Sequence, residues 1–354
     1  MLDVAFRRAL NPNIGRQGAL LFATYLSETF MARHAIIIGA NGQIGRATGE
    51  RLLHAGWAVT CAQRGDPLPN LTELGARSIR LDRNEPGALR AALADGADAV
   101  IDTIAYDENH AAQLLEIQDA VGQFSVISTA GVYAQFPVPV PETQPTTLAG
   151  QQDYSTKKVA LENTLLEHAR VPVSLIRPCA IYGPSSKLPR EWWFIKRYLD
   201  DRKRVPLKFE ASIFHNSATP NIAAVIEAAL EASFRGPLNA ADPTTPNVRE
   251  IAGIIARGLN WDCEFVTVPS EEVIDGVGVT PWSNAEPIMV DMRRAAQIGY
   301  RPVTDYASYA PEVCGWLIDA ARGRDWRVVF PIFARVYADV FDYAAEDSFL
   351  KVTN

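Results

Sequence analysis

Short apolar runs alternate with segments of helical periodicity through the first half of the chain. The apolar residues 35–38 precede a helix-like segment at residues 44–54, and a second apolar run follows at residues 57–62. Such short continuous runs are typical of parallel strands that are buried on both faces. The alternation continues with strands predicted at residues 78–81, 99–104, 124–128 and 173–176 and helical stretches near 86–95, 108–121 and 155–169. The pattern predicts an α/β fold with a doubly wound parallel sheet.

Three glycines stand where the first predicted strand turns into the first predicted helix. Gly39, Gly42 and Gly45 have the spacing G-x-x-G-x-x-G. The first permits a tight turn, the second lets the backbone approach a pyrophosphate, and the third lets the helix pack closely on the strand. The N–H groups at the helix start would face the anion. A glycine-rich turn is also common as a plain turn, but its place between strand and helix predicts a dinucleotide site.

The second predicted strand ends at Gln63 and Arg64, where the adenosine ribose of a dinucleotide would lie. A carboxylate there would repel a 2′-phosphate, whereas a guanidinium pairs with one. NADP(H) is therefore favoured over NAD(H). NAD(H) stays open, because a local rearrangement would bring Asp66 to the ribose and leave Arg64 as a solvated surface charge. Asp82, at the end of the third strand, is a candidate acceptor for the adenine amino group or a turn cap.

Three further residues are candidates for catalysis. Tyr154 and Lys158 are four residues apart, so they share one face of the predicted helix. An ammonium beside a phenol favours the phenolate and makes the tyrosine a usable acid or base near neutral pH. Thr129, at the end of its strand, can hold a substrate oxygen beside that phenol. A lone Y-x-x-x-K pattern is common by chance, and its place downstream of the glycine turn gives it weight.

Composition restricts the partners of the chain. Its 354 residues carry a net charge of −7 with a pI near 5.4, so we expect a small-molecule substrate and no nucleic acid. The four cysteines and five histidines are scattered, which predicts neither disulfides nor a metal site and favours the reducing cytoplasm. No apolar stretch is long enough to predict a membrane span.

These motifs resemble those of the extended short-chain dehydrogenase/reductase superfamily, in the group of NAD-dependent epimerases and dehydratases. The resemblance runs from residue 33 to about residue 323 and rests on GANGQIG, STAGVY, YSTKKVALE and IRPCAIYGP, among others. It implies a Rossmann fold with a smaller, discontinuous C-terminal substrate lobe, and it allows a homodimer. It also implies the catalytic roles given above for Thr129, Tyr154 and Lys158.

Further site residues follow from the same resemblance. Cofactor contacts are predicted for Gly39, Asn41, Gly42, Gln43, Ile44, Gly45, Gln63, Arg64, Asp82, Arg83, Ile104, Ala105, Tyr154, Lys158, Pro178, Ala180 and Ile181. Substrate contacts are predicted for Tyr133, Tyr182, Trp192 and Trp193. Tryptophans at such positions also serve to pack a small lobe on the main one.

The predicted organisation comprises an N-terminal extension that is poorly ordered or not translated, a Rossmann domain, a substrate lobe and a C-terminal helical extension. We expect the C-terminal helical extension to pack on its own domain, rather than to cover the pocket or to form a subunit contact. The N-terminal extension comprises residues 1–32. The Rossmann domain comprises residues 33–182 and is completed by about 213–243, and the substrate lobe comprises residues 183–212 and 244–324. The C-terminal extension comprises residues 325–354.

Departures from the family restrict the reaction. Thr129 is followed by Ala130 and Gly131, whereas the sugar dehydratases have an acidic pair there, so a dehydratase is disfavoured. Ala180 stands where nucleotide-sugar enzymes usually have an asparagine, and their usual arginine near residue 215 is missing. Such a pocket compensates a diphosphate poorly. We therefore expect an NAD(P)-dependent reductase or dehydrogenase acting on a small non-nucleotide substrate. An NAD-dependent nucleotide-sugar epimerase is the first alternative, and a non-catalytic dinucleotide-binding protein is the second.

Overall fold

The computed structural model describes residues 32–269, 271, 276–337 and 339–353. Its strands are β1 (His34–Ile38), β2 (Ala58–Gln63), β3 (Arg77–Arg80), β4 (Ala97–Asp102), β5 (Val121–Ile127), β6 (Val173–Pro178), β7 (Ala180–Tyr182), β8 (Arg204–Lys208), β9 (Asn216–Ala218), β10 (Gly236–Ala240) and β11 (Glu264–Val268). Its helices are α1 (Gln43–His54), α2 (Pro69–Glu73), α3 (Ala88–Ala92), α4 (Glu108–Glu116), α5 (Tyr154–His168), α6 (Trp192–Leu199), α7 (Thr219–Glu231), α8 (Val248–Gly258), α9 (Arg293–Gln297), α10 (Tyr306–Ala321), α11 (Trp326–Val329), α12 (Pro331–Val336) and α13 (Tyr343–Val352).

Seven strands form the central sheet in the order β10-β6-β5-β4-β1-β2-β3. All neighbouring strands in it are parallel. The chain builds outward from β1 to β3 and then crosses to β4 on the other side of β1. The carboxyl ends of β1 and β4 therefore border a crevice, which is where open parallel sheets of this kind bind ligands. The predicted doubly wound Rossmann fold is confirmed.

The central strands are buried on both faces because alternate residues enter two different cores. Ile37 of β1 packs in a core with residues of α1 and α7. Ile36 and Ile38 pack in another core with residues of α4 and α5. The continuous apolar run in β1 thus reflects helices on both sides of the sheet.

Two predicted helices are shorter in the structure. The stretch near 86–95 contains only α3, which begins after Gly87 with a backbone φ of +76°. The stretch near 108–121 divides into α4 and a 3₁₀ turn at Gln118–Ala120, and β5 starts at Val121. The side chain of Gln118 accepts a hydrogen bond of 2.7 Å from the Arg170 N–H, which ties this turn to the end of α5.

A third core holds the smaller lobe together. It joins α6, α8 and α10 with the parallel pair β8 and β11, and α11 and α12 add Trp326 and Phe333 to it. Arg197 of α6 makes a buried ion pair with Glu346 of α13. The described part of the C-terminal extension is therefore packed on the lobe.

The extension predicted for residues 1–32 lies outside the described residues, apart from Ala32. Within the described ranges, no helix has the length and apolar character needed to cross a bilayer.

Candidate active site

The turn between β1 and α1 forms a narrow cradle that only glycine fits. Gly39 has a backbone φ of +85°, and a Cβ atom there would lie 2.6 Å from side-chain atoms of Thr103 and Ile104. A Cβ atom at Gly45 would lie 2.5 Å from the carbonyl oxygen of Gly39. Gly42 caps α1 without a side-chain hydrogen bond, so N–H groups of the first turn stay free for an anion. The cradle fits the pyrophosphate of a dinucleotide.

A cleft of about 460 Å³ opens beside this cradle, along the carboxyl ends of β1, β2 and β4. Eight of the residues predicted to contact the cofactor line it, namely Gly39, Asn41, Gly42, Gln63, Arg64, Asp82, Arg83 and Ile104. The sequence-predicted adenosine half of the site is thus brought together in one place.

Several polar atoms in this region are buried without a partner. The side-chain amide of Gln63 donates to the Asp66 carbonyl and to Ser78 Oγ, both at 3.1 Å, but its Oε1 atom accepts nothing. The Oδ1 atom of Asn41 is likewise buried and accepts no hydrogen bond. Buried acceptors of this kind call for donors from a ligand or from water. Arg64 is exposed at the rim, where its charge is available to a ligand.

Arg83 differs from its predicted role in one respect. It lines the cleft, but its Nη1 atom makes a buried ion pair of 2.7 Å with Asp102, and its Nε atom donates to Gln113. The other carboxylate oxygen of Asp102 accepts the Ile104 N–H at 2.9 Å, so this carboxylate shapes the strand end that borders the site. Asp102 was missed in the sequence, where a carboxylate directly after an apolar run was the available signal.

The start of α5 is fixed by a capping box. Asp153 accepts from the Thr156 N–H at 2.9 Å, and the Thr156 hydroxyl receives the Asp153 N–H at 3.1 Å. This reciprocal cap makes Tyr154 the first residue of the helix and places Lys158 one turn later. Their shared helix face therefore begins at a defined point beside the end of β5.

Lys158 is held inside the site by backbone carbonyls. Its side chain is 4% exposed, and its Nζ atom donates to the carbonyls of Ala105 at 2.6 Å and Ile127 at 2.8 Å. Burial lowers the pKa of Lys158 to about 8. The Nζ atom lies 5.6 Å from the centroid of the Tyr154 ring. Its positive charge is therefore fixed between two strand ends and directed at the tyrosine.

Tyr154 and Thr129 meet in front of this lysine. The Tyr154 side chain is 44% exposed, and the Thr129 side chain lies beside its hydroxyl. Burial raises the pKa of Tyr154, and the neighbouring Thr129 hydroxyl opposes that rise. Thr129 is itself oriented by the Gly131 N–H, which its Oγ1 atom accepts at 3.1 Å. Two hydroxyls thus share one accessible point, as binding and deprotonating a substrate hydroxyl requires.

The chain is similar in sequence to a known enzyme family. Residues 35–208 match the sequence model of the NAD dependent epimerase/dehydratase family. The family resemblance stated from the sequence motifs is thereby confirmed for this part of the chain. No curated protein sequence matches the chain.

Solved structures of family-like epimerases share the fold. The UDP-N-acetylglucosamine 4-epimerase from Methanobrevibacter ruminantium M1 matches with a TM-score of 0.67 and 16% identity over 82% of this chain and 99% of that chain. A UDP-galactose 4-epimerase matches with a TM-score of 0.64 and 16% identity over 81% of this chain and 99% of that chain. The Bordetella bronchiseptica enzyme WbmH, in complex with NAD+, matches with a TM-score of 0.64 and 18% identity over 81% and 98%. At these identities the likeness establishes the fold.

Two predicted substrate contacts are wrong. Trp192 and Trp193 are 1% and 0% exposed and lie in the core of the smaller lobe, not on a pocket wall. Trp192 packs against Phe330, whose ring centroid is 4.8 Å away, and Trp193 packs against Phe194 at the same distance. Burial of their large apolar surfaces outweighs exposure in a cleft. The packing alternative for these tryptophans describes them correctly.

Tyr133 and Tyr182 are also engaged within the fold. The Tyr133 hydroxyl donates to Asn239 at 2.6 Å, and the Tyr182 hydroxyl donates to Asp242 at 2.8 Å. Both side chains are almost fully buried, so neither presents its hydroxyl to a substrate in this arrangement. Their predicted substrate contacts are corrected accordingly.

The remaining predicted cofactor residues lie around the end of β6 or in the first turn of α1. Pro178 ends β6, while Ala180 and Ile181 belong to β7, which pairs with β9. Ile44 is buried in the first turn of α1. Gln43, beside it, borders a separate groove next to α7.

Proposed function

We propose that the chain is an NAD(P)-dependent enzyme that removes a hydride from a secondary alcohol carbon and returns it to the other face, so that the net reaction is an epimerisation. The observation that carries this proposal is the meeting of the Thr129 and Tyr154 hydroxyls in front of the buried Lys158 ammonium. A bound nicotinamide dinucleotide supplies the hydride acceptor and donor.

The protein residues move the proton and hold the reactants. Thr129 positions the substrate hydroxyl, and Tyr154, as phenolate, accepts its proton while the carbon loses its hydride. Tyr154 gives the proton back when the hydride returns, so the residue ends each cycle as it began. Burial raises the pKa of Tyr154 in the protein alone. The cations that would favour the phenolate are the Lys158 ammonium, held in place by two backbone carbonyls, and the nicotinamide ring of an oxidised cofactor. Positioning and proton transfer together account for the rate.

The comparisons support epimerisation over the simple reduction expected from the sequence. The matching family includes epimerases by its name, and two of the structural neighbours are named as 4-epimerases of UDP-sugars. Ala130 and Gly131 follow Thr129, so the acidic pair for an elimination is missing at that point.

The test separates a returned hydride from a consumed one. The purified protein is incubated with NAD+ and with UDP-glucose or UDP-galactose, deuterated at C4, and the sugars are followed by NMR. We expect the two C4 epimers to interconvert with retention of the deuterium and without accumulation of NADH. Stoichiometric oxidation of NAD(P)H by ketones or aldehydes, without interconversion, would contradict the proposal.

A reductase is the second candidate, and one observation favours it. Arg64 is exposed just after the end of β2, and no carboxylate of the described residues forms an ion pair with it. A free guanidinium there suits the 2′-phosphate of NADPH, the usual donor for net reductions.

Arg64 therefore carries a prediction of its own. Arg64→Ala should raise the Kd for NADPH by about tenfold or more, because the charge-assisted hydrogen bonds to the 2′-phosphate are lost. The Kd for NADH should change by less than about twofold, since that cofactor has no such phosphate. Fluorescence titration of both cofactors measures the two values.

Arg77→Ala is the matched control, because Arg77 is an exposed arginine at the other end of the sheet, where β3 begins. It should leave both Kd values unchanged. Equal effects of Arg64→Ala on NADPH and NADH would make Arg64 an ordinary surface charge.

A further inference from the structure

Arg190 lies on the lobe side of the candidate active site. It stands in the segment between β7 and α6, and its guanidinium carbon is 5.3 Å from the centroid of the Phe214 ring. Its charge also acts on Cys179, the residue that follows β6. Burial raises the pKa of Cys179 to about 12, and the positive charge of Arg190 opposes that rise.

Cys179 connects this arginine to the catalytic turn. It packs with Ala130, which directly follows Thr129, in a small cluster with Val140 and Val290. β6 and β5 are neighbours in the sheet, so their carboxyl ends are adjacent. Arg190 thus lies near the end of the sheet that carries the Thr129 hydroxyl.

The guanidinium of Arg190 forms no ion pair with any described residue of the chain. Its Nε atom is buried without a hydrogen-bond partner. The buried carboxylate of the adjacent Glu191 feels the charge of Arg190 but makes no ion pair with it, and it accepts the Tyr306 hydroxyl at 3.2 Å. Asp242 is occupied by Tyr182.

Burying part of a guanidinium without an ion pair lowers the stability of the protein, and a bound anion can compensate the charge. Two buried arginines, by contrast, have an ion-pair partner within the chain: Arg197 pairs with Glu346 and Arg177 pairs with Glu162. The planar fork of an arginine matches the paired oxygens of a carboxylate or a phosphate, and an aromatic face holds its plane. Phe214 offers such a face.

We infer that Arg190 binds an anionic group of the substrate, a carboxylate or a phosphate, on the lobe side of Thr129 and Tyr154. The inference rests on the proposed function in taking this end of the sheet as the place of reaction. It makes the substrate a negatively charged secondary alcohol. It also supplies the cationic partner that the sequence comparison found missing for an anionic sugar derivative.

The test measures binding without turnover. The full chain is titrated calorimetrically with UDP, glucose 1-phosphate and glucuronate, and with glucose as the neutral probe. At least one anion should bind wild type, and Arg190→Gln should raise its Kd by about tenfold or more. Arg190→Lys should lie between the two, because lysine keeps the charge without the fork. The response to glucose should be the same in all variants.

The probes also distinguish the two anions. Binding of glucuronate that depends on Arg190 indicates a carboxylate, while binding of glucose 1-phosphate or UDP that depends on it indicates a phosphate; both outcomes support the inference. Arg335→Gln, an exposed arginine on α12, is the control and should bind like wild type. Failure of every anion to bind wild type, or equal binding to Arg190→Gln, would overturn it.

A stability measurement separates this role from a structural one. Because Arg190 has no internal ion pair to lose, Arg190→Gln should leave the thermal midpoint Tm unchanged or raise it. A fall of several degrees would make Arg190 a packing residue and overturn the inference. Anion binding that depends on Arg190 can persist when the epimerase assay fails, so the two proposals fail separately.

Discussion

Replacing Tyr154 by phenylalanine should lower kcat by about 10²- to 10⁴-fold, the contribution of a positioned acid or base. The ring and its contact with the Lys158 ammonium remain, but the group that exchanges the substrate proton is gone. Cofactor affinity should change little, because the glycine cradle and the cleft beside β2 are untouched. Initial rates of C4 interconversion and NADH titration measure the two effects.

Tyr106→Phe is the matched control for this variant. The Tyr106 ring lies 5.4 Å from that of Tyr154, and it is exposed to a similar degree at 41%. Its hydroxyl has no hydrogen bond to Thr129, so its removal should change kcat by less than about threefold. Full activity of Tyr154→Phe would favour the non-catalytic dinucleotide-binding alternative.

The elements that the sequence predicted well depend on local patterns. Gly39, Gly42 and Gly45 define their turn through backbone geometry, which needs nothing from the rest of the chain. Tyr154 and Lys158 share a helix face by spacing alone, and Asp153 and Thr156 supply the cap that starts this helix. The order of strands and helices followed from the burial of β1 on both faces.

The features that the sequence did not reveal depend on distant partners. Apolar residues are found both on the walls of ligand pockets and in hydrophobic cores. The tryptophans at residues 192–193 therefore could not be assigned from the sequence to a pocket or to the interior of the lobe. Arg83 was predicted to contact the cofactor, but in the structure its guanidinium forms an ion pair with Asp102 at the end of β4. Arg190 gave no signal in the sequence, because a missing partner is visible only once the chain is folded.

The largest effect on stability is expected at a buried ion pair behind the catalytic helix. Arg177 of β6 and Glu162 of α5 are 4% and 2% exposed, with Nε of the arginine 3.0 Å from the carboxylate. Glu162 lies one turn after Lys158, so the pair holds α5 against the sheet where its catalytic residues lie. Arg177→Met should lower the free energy of unfolding by about 3–5 kcal/mol, because Glu162 is left as an uncompensated buried charge. Unfolding in urea measures this loss.

Removing both charges tests the cause of that loss. In Arg177→Met/Glu162→Leu no buried charge is left unpaired, and apolar side chains of similar size fill the space. Most of the lost stability should return, whereas the two single changes should not simply add. If the double variant is as unstable as the sum of the single ones, the pair matters through packing on the Tyr133 ring, which lies 4.9 Å from the Arg177 guanidinium. Charge compensation would then not be what fixes the catalytic helix in position.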